Sequence, residues 1–271
     1  MKPTGVTKPE LIIDPGHGGS DPGASGNGIV EKAMNLDISL YQFQRFKELG
    51  VKVALTRDSD LTLASSVRAE LVKNSGAKYC ISNHINAAPS SAAFGAETIY
   101  SVYSNGKMAT AVLNAIKNEG QPTRRAFSRS NESGGDYYFM HRLTGAVATV
   151  IVEYGFCTNP SDADRLRQHW KKYAEAVVEG YCRFVGHSYS PPNLSPAQPV
   201  PSPPAEPAQP EGFNDILGHW AEPSIRKANQ VGLLNGVSPQ RFAPDEPLTR
   251  AQAAVLLDRL GLLEKGGALS D

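Results

Sequence analysis

Between Pro191 and Pro210, nine of twenty residues are proline, interspersed with Ala, Ser and Gln. Each proline fixes φ and removes a backbone donor, so neither a helix nor an inner strand can run through such a stretch. It predicts an extended polyproline-type spacer, reaching up to about 60 Å at roughly 3.1 Å per residue. The chain must therefore fold in two pieces. The first is long enough for one sizeable core; the second, of some fifty to sixty residues, can build only a marginal one. The expected division is a first domain over 1–187, a proline-rich linker over 188–211 and a C-terminal module over 212–271.

In the first piece, short apolar runs alternate with stripes at helical spacing. Leu11, Ile12 and Ile13 precede Asp14-Pro15-Gly16, which reads as a buried strand that stops abruptly. Leu36, Ile38, Leu40, Tyr41, Phe43 and Phe46 form a broad stripe that Gly50 ends. Residues 51–56, 79–82, 95–102 and 147–152 read as further strands. Helices are expected over 64–73, with Val67 and Leu71 on one face, and around Met108, Val112 and Ile116. Asn159-Pro160 is a strong helix start, followed by Leu166, Trp170, Tyr173, Val177 and Phe184 at three- and four-residue steps. Residues 121–135, rich in Arg, Ser, Asn and Gly, show no periodicity and read as a loop. The alternation predicts an α/β domain with a mainly parallel twisted sheet flanked by helices. After the linker, a helix near Pro223 and a second opened by the capping-box pattern Thr249-Arg250-Ala251-Gln252 predict a small, mainly helical module.

Charge excludes some functions. The chain has 27 Lys+Arg against 27 Asp+Glu, and neither half departs far from balance, so nucleic acid is not an expected partner. No apolar run approaches the length of a membrane span, and residues 1–10 lack the apolar core of a signal peptide, so no export signal is expected in this chain. Cys80, Cys157 and Cys182 have no CxxC spacing and are expected as buried thiols.

Three ionisable residues, His17, His84 and Glu153, stand where predicted strands end, and Glu31 stands at or just before a helix. In open α/β sheets the carboxyl ends of strands form the ligand-binding edge. Taken singly, each has a plainer reading: a histidine after a strand is more often a hydrogen-bonded loop residue, and a helix dipole favours a glutamate at its N-terminus in any case. Together, two imidazoles and a carboxylate with an open fourth position are a set used by catalytic zinc, and a second carboxylate suits a hydrolase. The spacing is not that of an HExxH helix, so local pattern alone leaves the site open. Ser82 lies in no GxSxG elbow, which argues against a serine hydrolase.

Resemblance narrows the choice. The run from Ile13 to Gly19, with Asp21-Pro22-Gly23-Ala24, Glu31, Ser82-Asn83-His84-Ile85-Asn86-Ala87, Val152-Glu153-Tyr154-Gly155-Phe156 and Asn159-Pro160, closely resembles the zinc-dependent N-acetylmuramoyl-L-alanine amidases of the Amidase_3 type over residues 10–186. The resemblance implies that His17, Glu31 and His84 hold Zn2+ and that Glu153 is the catalytic carboxylate. It also implies a reaction: hydrolysis of the peptidoglycan amide joining N-acetylmuramic acid to L-alanine of the stem peptide. Some relatives insert a regulatory helix between the second histidine and the catalytic glutamate; only 68 residues separate His84 from Glu153, which implies an open site. Arg124, Arg125 and Arg129 could meet stem-peptide carboxylates, although a solvated basic loop is the reading the sequence favours. Two other readings stay open: a catalytically inactive wall-binding protein, and a zinc peptidase acting within the stem peptide.

The tail resembles a single S-layer-homology module, through Phe213-Asn214-Asp215-Ile216, His219-Trp220-Ala221, Gly232-Leu233-Leu234-Asn235-Gly236, Phe242-Ala243-Pro244-Asp245 and Leu248 to Ala253. This implies secondary cell-wall polysaccharide as a partner, with Trp220 and Arg250 at positions that could contact sugar; Trp220 is equally readable as core. The resemblance sets the expected place of action at the bacterial cell wall. A phage endolysin released through a holin pore fits best and an autolysin freed by mother-cell lysis second; a chain whose leader has been removed would look the same.

Overall fold

The computed structural model describes residues 2–192, 213–230, 233–234, 236–237, 240–246 and 248–259. The predicted spacer falls mostly outside these residues. The chain divides into two compact units, Met1–Leu194 and Ser195–Asp271.

In chain order, the first unit carries β1 (Thr4–Gly5), β2 (Leu11–Pro15), a small hairpin of β3 (Ser25–Gly26) and β4 (Ile29–Val30), α1 (Glu31–Glu48), β5 (Val53–Leu55) and α2 (Ser65–Lys73). It continues through β6 (Tyr79–Asn86), β7 (Ala96–Tyr100), α3 (Lys107–Asn118), β8 (Thr123–Phe127), α4 (Phe139–Arg142), β9 (Ala148–Phe156) and α5 (Pro160–Val185). Among the described residues, seven strands form one sheet in the order β1-β5-β2-β6-β9-β7-β8. The pairs β2–β5, β2–β6, β6–β9 and β7–β8 are parallel; β1 on β5 and β7 on β9 are antiparallel. The sheet is thus mainly parallel, as the alternation of strands and helices predicts.

Both faces are covered, which is why β2 and β9 carry near-continuous apolar runs. Leu11, Ile13, Ile81, Val150 and Val152 pack with α1, α3 and α5, whereas Ile12, Ala54, Cys80 and Ile151 pack with Val72 of α2 and Met140 of α4. The Asn159 side chain caps α5 by accepting from the Asp162 amide at 2.9 Å, with Pro160 at the first turn. Cys80, Cys157 and Cys182 are buried free thiols. No helix among the described residues is long and apolar enough to cross a membrane.

Four local expectations change. The inward face of α1 is largely polar: Glu31, Asn35, Ser39, Gln42 and Arg45 are buried beside Ile38 and Phe46, while Leu40 is exposed. A closed network makes the burial of Ser39 and Gln42 tolerable. Gln42 donates to the Tyr154 hydroxyl at 2.7 Å, which donates to Asn83 Oδ1 at 2.9 Å; Asn83 returns bonds to Gln42 Oε1 at 2.7 Å and Ser39 Oγ at 2.8 Å. In α2, Arg68 faces inward with Leu71, and Val67 is exposed. Residues 121–135 are not all loop, because β8 forms the sheet edge there, with a register shift at Ala96/Glu97 that sets Glu97 opposite Arg125. Finally, β6 and β9 pair as far as Asn86 and Phe156, so His84 and Glu153 lie inside their strands rather than at or beyond the ends.

In the second unit, a 3-10 turn at Asn214–Ile216 precedes α6 (Glu222–Gln230) and α7 (Arg250–Arg259). Asp215 accepts from the Phe242 and Ala243 amides at 2.9 and 2.7 Å, and the Phe213 and Phe242 rings lie 5.3 Å apart. Ile216 and Ile225 are buried.

Candidate metal centre

The loop after β2 is shaped for one histidine. Gly16 lies against the His84 ring, and a Cβ there would overlap it. His17 itself takes the left-handed conformation, φ +59°, which an L residue holds only when its surroundings enforce it. Two buried arginines do so. Arg57 donates to the carbonyls of Pro15 (3.1 Å), Gly16 (3.0 Å), Lys32 (3.0 Å) and Ser59 (3.0 Å). Arg68 donates to Asp14 Oδ1 (2.7 Å), Pro15 O (2.6 Å) and His17 O (2.7 Å). Asp14, wholly buried, also accepts from Thr56 and Ser82 hydroxyls at 2.7 Å each. Burial alone would raise the Asp14 carboxyl, but the Arg68 charge and these bonds hold it below its ordinary value. Ser82 is thereby spent on structure.

Glu31 opens α1 straight from the β3–β4 hairpin. Its Oε2 accepts from the Ala24 amide at 2.7 Å, and its Oε1 from the Ile85 amide at 3.1 Å and Asn35 Nδ2 at 3.3 Å. Gly23, at φ +66°, leaves the room this needs: a Cβ there would come within 2.6 Å of Glu31 Oε2 and 2.7 Å of the His17 ring.

His17 Nε2 and His84 Nδ1 both approach Glu31 Oε1, at 3.2 and 2.9 Å, with the two rings edge to face at 5.1 Å between centroids. One ligand atom from each of His17, Glu31 and His84 lies within 4.8 Å of the others, a group able to hold a metal ion. The Asp21 carboxylate takes His17 Nδ1 at 2.8 Å, the carboxylate–histidine contact that fixes a ligand imidazole's tautomer and raises its basicity. Burial works against protonation of His17, but the hydrogen bonds and charges of Glu31 and Asp21 outweigh it and push the imidazole up to about 9. Burial likewise opposes ionisation of Glu31, yet the two histidines hold its carboxyl far below the carboxylate range.

Glu153 stands one strand away, directly across from His84 in the β6–β9 register. Its Oε2 is sealed from solvent and has no hydrogen-bond partner. Burial, reinforced by the Glu31 and Glu97 charges against those of His84 and His17, pushes its carboxyl up to about 7. A carboxylate that exchanges a proton near neutrality is suited to general acid–base work. The four residues picked from the sequence thus meet at one end of the sheet. The sequence reading missed Asp14, Asp21, Arg57 and Arg68. Asp21, four residues after His17 within the glycine-rich loop, offered a usable signal; a buried arginine in a helix or after a strand offers none.

Residues 11–183 match the family model Amidase_3, N-acetylmuramoyl-L-alanine amidase. The chain belongs to the Amidase_3 family. Among its relatives, the germination-specific N-acetylmuramoyl-L-alanine amidase of Bacillus subtilis (strain 168) is 30% identical over 200 residues, covering 67% of this chain and 82% of that protein. The fold is similar to that of the N-acetylmuramoyl-L-alanine amidase AmiC2 of Nostoc punctiforme, at 28% identity and a TM-score of 0.60, covering 67% of this chain and 99% of that one. It is also similar to Cwp6 from Clostridium difficile, at 30% identity and a TM-score of 0.61, covering 65% of this chain but 29% of that longer one. Residues 212–254 match the S-layer homology domain. There, Trp220 is 88% exposed and not core. The Arg250 side chain lies outside the described residues.

Proposed function

We propose that this chain is a zinc-dependent peptidoglycan amidase that hydrolyses the amide between N-acetylmuramic acid and L-alanine of the stem peptide. The observation that carries the reading is the juxtaposition of the His17–Glu31–His84 trio with the Glu153 carboxylate on the neighbouring strand, whose Oε2 has no hydrogen-bond partner. The donor set fits zinc: two imidazole nitrogens and one carboxylate oxygen, with Asp21 behind one imidazole and the Ala24 amide behind the carboxylate. A zinc ion held by His17, Glu31 and His84 would supply Lewis acidity to the scissile carbonyl and make water acidic enough to attack near neutral pH. Glu153 accepts the proton of the attacking water and delivers it to the departing amine of L-alanine. Its carboxyl, pushed up to about 7, can perform both transfers without a large energetic mismatch. Arg57, Arg68 and Asp14 keep the His17 loop from relaxing between turnovers.

The reading assigns catalysis to 1–187, a spacer role to 188–211 and wall binding to 212–271. Secondary cell-wall polysaccharide is the proposed ligand of the last, with the exposed Trp220 indole as a stacking face for sugar and Arg250, thirty residues further along the chain, as a second contact. Tethering raises the local concentration of the catalytic unit at the wall without adding contacts to the substrate. This suits a phage endolysin and a bacterial autolysin equally. Mass analysis of muropeptides from digested walls tests the bond assignment. The account expects stem peptides with a free N-terminal L-alanine and muramic acid stripped of peptide; products cut inside the stem peptide would instead make the chain a peptidase.

A further inference from the structure

Register places a line of functional residues across the sheet. His84 pairs with Glu153, Glu153 with Glu97 on β7, and Glu97 with Arg125 on the edge strand β8. Glu97 is 4% exposed, and its Oε1 accepts from Arg124 Nε at 2.9 Å and Arg125 Nε at 3.0 Å, while Oε2 takes Asn86 Nδ2 at 3.2 Å. Two guanidinium groups are thus anchored on one oxygen through Nε, and among the described residues neither uses its Nη groups on a protein acceptor. Aromatic rings lie beneath all three neighbouring arginines: Arg124 over Phe156 at 5.3 Å, Arg125 over Phe127 at 4.1 Å and Arg129 over Tyr137 at 3.8 Å. Stacking of this kind leaves the donor edges of Arg124 and Arg125 free, while Arg129 also hydrogen-bonds the Tyr138 hydroxyl. Together these arginines and Glu97 line a cleft of about 560 Å³.

The cleft is short of negative charge. Three arginines face one carboxylate, which leaves about two positive charges for a ligand to neutralise. The opposite flank of the metal centre offers no such excess of positive charge, because Asp60 pairs with Lys32 at 2.7 Å and Asp21 with His17 at 2.8 Å. An extended substrate with carboxylates on one side only would therefore lie in one direction across the sheet's end. Arg125 is two strands from Glu153, about 10 Å at the usual strand spacing. An extended peptide covers that distance in about three residues.

We infer that this cleft binds the carboxylates of the acidic peptide on the leaving side of the scissile amide, the glycan lying toward the His17 side of the site. The inference rests on the amidase reading for its substrate and deepens it by naming what is gripped. Glycan hydroxyls and acetamides carry no charge that would reward three arginines; a stem peptide with free carboxylates two and three residues from the bond does, through bidentate pairing.

The test uses the zinc-loaded full chain and two probes: the tripeptide L-alanyl-γ-D-glutamyl-L-lysine, and the same peptide with both carboxylates amidated. Calorimetric titration is expected to show the free acid binding at least 10-fold more tightly than the diamide, with the difference shrinking as salt rises. R124Q/R125Q/R129Q should abolish that preference. Because this variant strands Glu97, E97Q/R124Q/R125Q is measured alongside it and should lose the preference likewise. On muramoyl-tripeptides the arginine variants should raise KM about 10-fold for the free acid and lose the parent's difference in KM between acid and diamide. Equal binding of acid and diamide by the parent chain, or a preference that survives in a folded variant, overturns the inference. Discriminating binding in a chain that cleaves no muramoyl amide would leave the inference standing and remove the amidase reading.

Discussion

Two groups of arginines stand at the same end of the sheet and differ in what their donors do. Arg57 and Arg68, beside β2, are buried, and their hydrogen bonds go to main-chain carbonyls and to Asp14. Arg124, Arg125 and Arg129, along and just after β8, are exposed; the first two keep a single anchor each on Glu97. A guanidinium whose donors are satisfied by backbone is framework: it fixes the carbonyls around His17 and has nothing left for a ligand. One held by a single nitrogen and flattened on a ring is a binding surface. Residue type alone cannot distinguish these roles, because both depend on which partners the fold brings near.

The largest effect should come from breaking the buried group. Arg68→Met leaves the Asp14 carboxylate buried with hydroxyls alone and removes a donor from the Pro15 and His17 carbonyls. A stranded buried charge costs about 3–5 kcal/mol. Denaturant unfolding of metal-free protein should show a loss of that size, together with weaker zinc retention; a loss below about 1 kcal/mol would remove Arg68 from the framework.

Glu153 lies between the two groups and should show its burial as a pH dependence. Its folded carboxyl, raised from 4.5 to about 7, holds its proton more tightly than the unfolded chain does. In metal-free protein its contribution therefore favours folding least at high pH. Stability should fall as pH rises from 4.5 through 7, by up to about 3 kcal/mol. Glu153→Gln should lack this component, so the difference between the two unfolding curves isolates it. A difference of opposite sign would show that Glu153 sits in a solvated or cation-rich setting.

The smallest effect belongs to the exposed group. Arg129→Gln should change unfolding free energy by no more than about 0.5 kcal/mol, since the side chain is exposed and its partners are the Tyr137 ring and the Tyr138 hydroxyl rather than a buried charge. A loss comparable to that of Arg68→Met would erase the distinction.

Much of the site was legible because its signals are local. His17 follows a buried strand and a proline–glycine stop, Glu31 heads a helix, and His84 and Glu153 close apolar runs. The burial of α1 was not legible, since the partners that satisfy Ser39 and Gln42 come from β6 and β9, far away in sequence. Hydrophobic periodicity marked Leu36, Leu40 and Phe43 instead, none of which is buried. The strand β8 was hidden for a similar reason. An edge strand that carries arginines for a cleft has no apolar alternation, and its pairing depends on a register shift no local pattern encodes.

The central claim is that His17, Glu31 and His84 hold the metal while Glu153 moves the proton. Zinc content and wall-hydrolysis rate, measured together on Glu153→Gln beside the parent chain, test it most directly. The account predicts about one zinc per chain in both and a rate about 10²–10⁴-fold lower in the variant. A zinc-loaded Glu153→Gln chain that clears walls at close to the parent rate would contradict it.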